Sequence, residues 1–167
     1  MDDRTSTIDE ELAAEALIAG DATLSTALYR HRDLASADWD GLTALIMEAE
    51  HPRYSGQLEA SEAWQYLKQF PNREGRVFVG ELFEAGGWDA VNRAYTDPPR
   101  STEQILHPVR YLAQRDETTQ VTVPDLGWVL GEEWHKALEE TLGELVVGLY
   151  LTEALPEQEA WPAAAGW

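Results

Sequence analysis

The spacing of its apolar residues constrains this chain more than any other feature. Ile8, Leu12, Leu17, Leu24 and Leu28 recur at mostly helical steps toward Tyr29, and a stripe of that period is buried by an α-helix lying against other elements. Thr7 followed by Glu10 forms a capping-box pattern, so a first helix is predicted from about Ile8 to His31. Gly20-Asp21 sits in its middle. Glycine inside a helix costs roughly 0.8–1 kcal/mol relative to alanine, so the position implies either a close backbone approach or the remnant of a site.

The same period continues along the chain. Trp39, Leu42, Leu45, Ile46 and Ala49 predict a second helix over 38–50, stopped by His51-Pro52. Leu58, Trp64 and Leu67 predict a third, ended by Pro71-Asn72. Val77 and Val79 would suit a short strand, but Phe78, Leu82 and Phe83 favour a helix closed by Gly86-Gly87. Trp88, Val91, Asn92 and Tyr95 predict a short helix ended by "TDPP", and Ser101 with Gln104 caps a brief one stopped by His107-Pro108.

Residues 113–131 lose the period and read as loop, with "QVTV" at best a short extended piece before Pro124. Trp134, Leu138, Leu142, Leu145 and Leu149 restore it and predict one helix from Glu132 through to Thr152. The expected fold is mainly α: a single-domain, bundle-like array of about six helices with little or no strand. A helical domain over 1–155 is followed by a C-terminal tail over 156–167, packing through Trp161 and Trp167. Trp64, Trp88 and Trp134, each on an apolar face, are expected as core anchors.

Composition then narrows function. The 167 residues suit one domain, and 44% hydrophobic residues with seven tryptophans support a packed core. Asp and Glu number 31 against 12 Lys and Arg, a formal charge of −19 whose field repels phosphate backbones and anionic lipid. No nucleic-acid or membrane partner is expected. The absence of cysteine excludes disulfides, thiolate metal sites and cysteine nucleophiles. Neither an apolar signal-peptide core nor a run of about 18 apolar residues is present, so a cytoplasmic location is expected.

No G-x-S-x-G elbow, glycine-rich phosphate cradle or H-E-x-x-H pair occurs. His31, His51, His107 and His135 are scattered, mostly beside helix ends. Glu132, His135 and Glu139 would share one face of the last long helix and look like half of a di-iron site, but such sites draw further carboxylates from other helices. A solvated edge is the weightier reading. Neither a metal nor a cofactor is expected.

Four segments in order, "EALIAGDATLSTALY", "GGWDAVNRAYTDPPRSTEQILHP", "TLGELVVGLYL" and "AAAGW", resemble the C-terminal part of a family of uncharacterised bacterial proteins with a gluzincin-type metallopeptidase domain. The resemblance covers nearly the whole chain, and "PPRSTEQILHP" is its most specific piece. It implies a zinc site whose first two ligands and general base come from an H-E-x-x-H helix, and whose third ligand is the glutamate of an "EGDA"-type sequence. Here that sequence reads "AGDA", with Ala19 at the ligand position, and no H-E-x-x-H lies within the 167 residues. A catalytic zinc needs three protein ligands and an open position.

What the resemblance implies is therefore a non-catalytic, degenerate metallopeptidase-like scaffold acting as a protein-interaction or accessory module. Ala19, Gly20 and Asp21 are then the remnant of the family's site. Its partner would be another protein or a second copy of the chain. Two other readings stand beside it: a zinc peptidase completed in trans by a chain carrying H-E-x-x-H, and an acidic mimic of a polyanion that occupies a basic partner. Glu103, Gln104 and His107, around the apolar pair Ile105 and Leu106, are the candidate binding surface, against the plainer reading of a short capped helix.

Overall fold

The computed structural model describes residues 6–30, 41, 62–115, 123–124, 126–131, 133–137 and 139–165. The helix expected over 38–50 lies outside them except for Gly41, as do "QVT" of the extended piece and Trp167. The described residues form seven helices and no strand: α1 (Ile8–Arg30), α2 (Glu62–Thr96), α3 (Thr102–Leu106), α4 (Pro108–Leu112), α5 (Gly127–Leu130), α6 (Glu144–Thr152) and α7 (Glu157–Ala164). None of them is long and apolar enough to cross a membrane.

The start of α1 is built as its sequence requires. Glu10 N donates to Thr7 Oγ1 (3.2 Å) while Thr7 N donates to Glu10 Oε2 (3.0 Å), so two orphan donors of the first turn are satisfied reciprocally. The buried face of α1 consists of Ala13, Ala16, Leu17, Gly20 and Leu24. Its small members let α2 approach closely. A Cβ on Gly20 would overlap the carbonyl of Gly75, and one on Gly75 would overlap the carbonyl of Ala16. Gly20 is therefore where two helix backbones touch.

Phe70, Phe78, Val79, Leu82, Val91 and Ala94 of α2 form the other wall of the core, joined by Ile105, Leu145 and Leu149. The helix does not end at Pro71-Asn72. Its backbone stays helical there, although proline lacks a donor and crowds the carbonyl four residues back, at a cost of about 3 kcal/mol. Burial of Phe70 and Phe78 on either side holds the turn in place. The real break is Gly86–Gly87, where Gly87 takes φ 60° and ψ −153°, a conformation essentially closed to residues with a Cβ. A straight helix would put Tyr95 about 30 Å beyond Gly75. Instead Gly75 meets Gly20 and Tyr95 meets Asp21, so the kink returns residues 88–96 to α1.

The anchors are phenylalanines, not the expected tryptophans. Trp64, Trp88 and Trp134 are 48%, 42% and 64% exposed. Trp64 lies beneath Lys68 Nζ, and Trp88 stacks edge-on against Phe83, which itself packs on the core. Trp161 is half-buried, tilted against Tyr66, with its ring on Gly148. It belongs to α7, which packs against α6 and buries Ala160 and Ala164. The terminal segment is thus a docked helix rather than a tail held by its tryptophans alone.

A second correction concerns 132–152. Helix forms only from Glu144, and residues 133–137 and 139–142 are irregular, while Glu132 and Leu138 lie outside the described residues. Side-chain attachments to α1 outcompete the local period. Glu140 Oε2 accepts from Ile8 N (3.0 Å), and Gly143, with φ 27°, lies so close to Asp9 that a Cβ there would overlap its carboxylate.

Candidate functional site

Ser101 Oγ accepts from Gln104 N (3.3 Å), as the sequence predicts for α3, but Gln104 Oε1 accepts from Arg100 N (2.9 Å), one residue before the cap. This short helix is unusual in what it buries. Ser101, Thr102, Glu103 and Gln104 are all buried together with Ile105. Buried polar groups require partners, and those of Thr102 come from the two far ends of the chain.

Asp9 in the first turn of α1 is 3% exposed, and its Oδ1 accepts from both Thr102 N (3.1 Å) and Thr102 Oγ1 (2.5 Å). Thr102 Oγ1 in turn accepts from Leu145 N (3.1 Å), one of the donors left open at the start of α6. A single threonine hydroxyl therefore joins α1, α3 and α6. Burial pushes the Asp9 carboxyl above its ordinary value, outweighing the two Thr102 hydrogen bonds that favour the anion, with Glu10 and Glu144 adding to the upward shift. Beside this knot, His107 Nε2 lies 2.9 Å from Glu144 Oε1. The Glu144 side chain is buried, and its other oxygen, Oε2, has no hydrogen-bond partner among the described residues.

The three residues singled out as a binding surface are thus divided. Gln104 is wholly buried, and Glu103 is nearly so, with Arg110 Nε 4.0 Å from its Oε1. His107 alone is substantially exposed. An open cleft of about 470 Å³ adjoins the segment, but Ser6, Glu10, Glu11, Pro98, Pro99 and Arg100 line it. Two of its polar groups are already engaged, Glu10 on Thr7 N and Glu11 on Ser6 Oγ. The arrangement locks three helices, with the Thr102 hydroxyl donating to Asp9 and accepting from Leu145 N.

Ala19, Gly20 and Asp21 sit at the α1–α2 seam. Ala19 is half-buried and its carbonyl accepts from Thr23 Oγ1 (2.9 Å). Asp21 Oδ2 accepts from Tyr95 OH (2.7 Å), and burial, with this bond and the Asp21 charge adding to it, raises the tyrosine to about 12. His135 and Glu139 lie in irregular backbone, and Glu132, the third member of that expected face, lies outside the described residues. Among the described residues, no group of three or more His, Asp or Glu side chains is placed to hold a metal ion.

The structure adds one surface that apolar period did not identify. Leu126 N-terminally flanks α5, whose Trp128, Val129 and Leu130 are all exposed, Trp128 to 85%. Gly131 N closes the turn on Gly127 O (2.9 Å), and Trp134 N donates to Gly131 O (3.1 Å). "DLGWVLGEEW" carries a local signal that was available: two glycines bracketing three apolar residues, too few to form a core helix. Compared with family models, with curated proteins and with solved structures, the chain matches none.

Proposed function

We propose that this chain is a non-catalytic relative of the gluzincin-like proteins it resembles, working in the cytoplasm as a protein-interaction or accessory module. The observation that carries the interaction half is the surface of Leu126, Trp128, Val129, Leu130 and Trp134, large apolar side chains gathered in a few residues and exposed to water. Large apolar side chains exposed close together in sequence are the raw material of interaction sites. Ala19 supports the non-catalytic half: a methyl group stands where the resemblance implies a zinc-binding carboxylate. The close contact of Gly20 with Gly75 also gives the GDA triplet a packing role that requires no metal.

The test is elemental analysis of the purified protein together with a casein-cleavage assay. Zinc well below stoichiometric amounts and no cleavage are expected. About one zinc per chain that survives mild chelation would overturn the non-catalytic reading, as would casein cleavage lost on chelation and restored by zinc.

A further inference from the structure

We propose that Asp9 and Glu144 form a buried carboxyl pair that works as a pH-operated latch on α6, closed while the pair holds a proton and loosened once both groups are ionised. The latch concerns how the fold is held and goes beyond the interaction reading.

The geometry of the knot leaves the pair short of donors and of countercharge. Asp9 is buried, and among the described residues the donors that reach it are Thr102 N and Thr102 Oγ1, both on its Oδ1. The Glu144 side chain is buried as deeply, with Oε1 on His107 Nε2 and Oε2 unpartnered among the described residues. Backbone brings the two together. Gly143, the residue before Glu144, lies so close to the Asp9 carboxyl that a Cβ there would overlap both of its oxygens. The charged groups that face Asp9 are further carboxylates, Glu10 on its own helix and Glu144 on α6. Glu140, just before α6, accepts from Ile8 N, and Glu103 of α3 lies 4.0 Å from Arg110. Among the described residues the base that touches the pair is His107, and it touches Glu144 rather than Asp9.

Two effects compete for the charge. Asp9 and Glu144 each occupy the first turn of a helix, where open N–H groups favour an anion. Burial opposes it and is the larger, so the Asp9 carboxyl stands above its ordinary value despite both Thr102 bonds. With Asp9 protonated, the pair contains one anion, Glu144, beside His107. Loss of that proton sets a second anion against the first turn of α6. That turn carries Leu145, whose N–H donates to Thr102 Oγ1 and whose side chain enters the core, so the repulsion acts on the junction of α1, α3 and α6. The closed form holds the proton more tightly than an open form in which Asp9 meets water. Closure is therefore favoured at low pH and weakens as the pH rises from 3.8 through the raised folded value.

Amide hydrogen exchange of the full-length protein, followed by NMR from about pH 4 to about pH 7 and corrected for the intrinsic base-catalysed rate, reads the latch at the Leu145 N–H. Protection of Leu145 is expected to lie below that of the α1–α2 seam. It should fall by up to about tenfold per pH unit across the window in which Asp9 ionises, the slope for one linked proton. Asp9→Asn, which keeps an acceptor for Thr102, flattens that dependence. Glu144→Gln moves the window to lower pH, because a carboxylate facing Asp9 is gone. His107→Gln keeps a donor for Glu144 and retains the dependence. A flat profile in the wild type would overturn the latch, as would a profile that survives Asp9→Asn or vanishes in His107→Gln. An unmoved window in Glu144→Gln would overturn the pairing of the two carboxyls. Equal protection of Leu145 and the seam would show that the knot opens only with the whole fold, which also overturns the latch.

Discussion

Residues 101–105 bury four polar side chains, while residues 126–134 leave five large apolar ones in water. The difference lies in the supply of partners. Each end of the first segment meets complementary groups: Asp9 accepts from Thr102, Thr102 accepts from Leu145 N, and Arg100 N donates to Gln104. Satisfied in this way, polar atoms can share an interior with Ile105. Among the described residues the second segment meets no apolar face that covers it, and its large side chains are exposed. Polarity alone therefore locates neither the core nor the surface of this protein.

Four substitutions can break or sharpen that contrast, beginning with the strongest. Gly20→Ala adds helix propensity of about 1 kcal/mol, yet forces a methyl group into the Gly75 carbonyl. Backbone cannot yield there, so a net loss of about 3 kcal/mol or more is expected in urea unfolding. A stabilised variant would show that the two helices are free to separate.

Thr102→Val keeps the shape and removes the hydroxyl that serves Asp9 and Leu145 N. Stranding a buried carboxylate and a buried donor should cost about 2–3 kcal/mol. Unchanged stability would mean that water replaces the hydroxyl and that the segment is not sealed.

Asp9→Asn preserves an acceptor for Thr102 and deletes the titration. Because the folded pKa lies above 3.8, the folded protein holds this proton more tightly than the unfolded chain does. The contribution of Asp9 is therefore favourable at low pH and is lost as pH rises from the unfolded value through the raised folded one. Denaturation of both proteins from about pH 3 to about pH 7 should show the wild type losing ground to the variant across that window. A constant difference would place Asp9 in contact with solvent.

The smallest effect is expected on the exposed side of the comparison. Trp128→Ala should move the unfolding free energy by no more than about 0.5 kcal/mol, whereas truncating the buried Phe78 would cost about 3–5 kcal/mol. A loss near the second figure would show Trp128 to be packed.

Much of the fold was legible locally. Thr7 and Glu10 marked the start of α1, Gly86-Gly87 marked the kink, and Ser101 marked α3, because caps and left-handed turns depend on neighbouring residues. The long helix expected over 132–152 failed for the complementary reason. Its leucine period was genuine, but Glu140 and Gly143 are committed to Ile8 and Asp9, more than a hundred residues away in sequence. The candidate site was legible only as the segment 101–107, not in its role, since burial of Glu103 and Gln104 depends on how α1 and α6 meet around it. Nor does periodicity reveal how deeply a tryptophan sits.

The Asp9–Thr102–Leu145 knot also sets an order on biogenesis. Its first and second members are separated by 93 residues and its second and third by 43. At roughly 5–20 residues per second of synthesis, the final donor follows the aspartate by roughly 7–27 s. The α1–α2 seam, complete by residue 96, can associate on the ribosome during that wait. Asp9 meanwhile stays hydrated at an open helix end, and a nascent chain released before Leu145 would keep its first helix pair while failing to seal it.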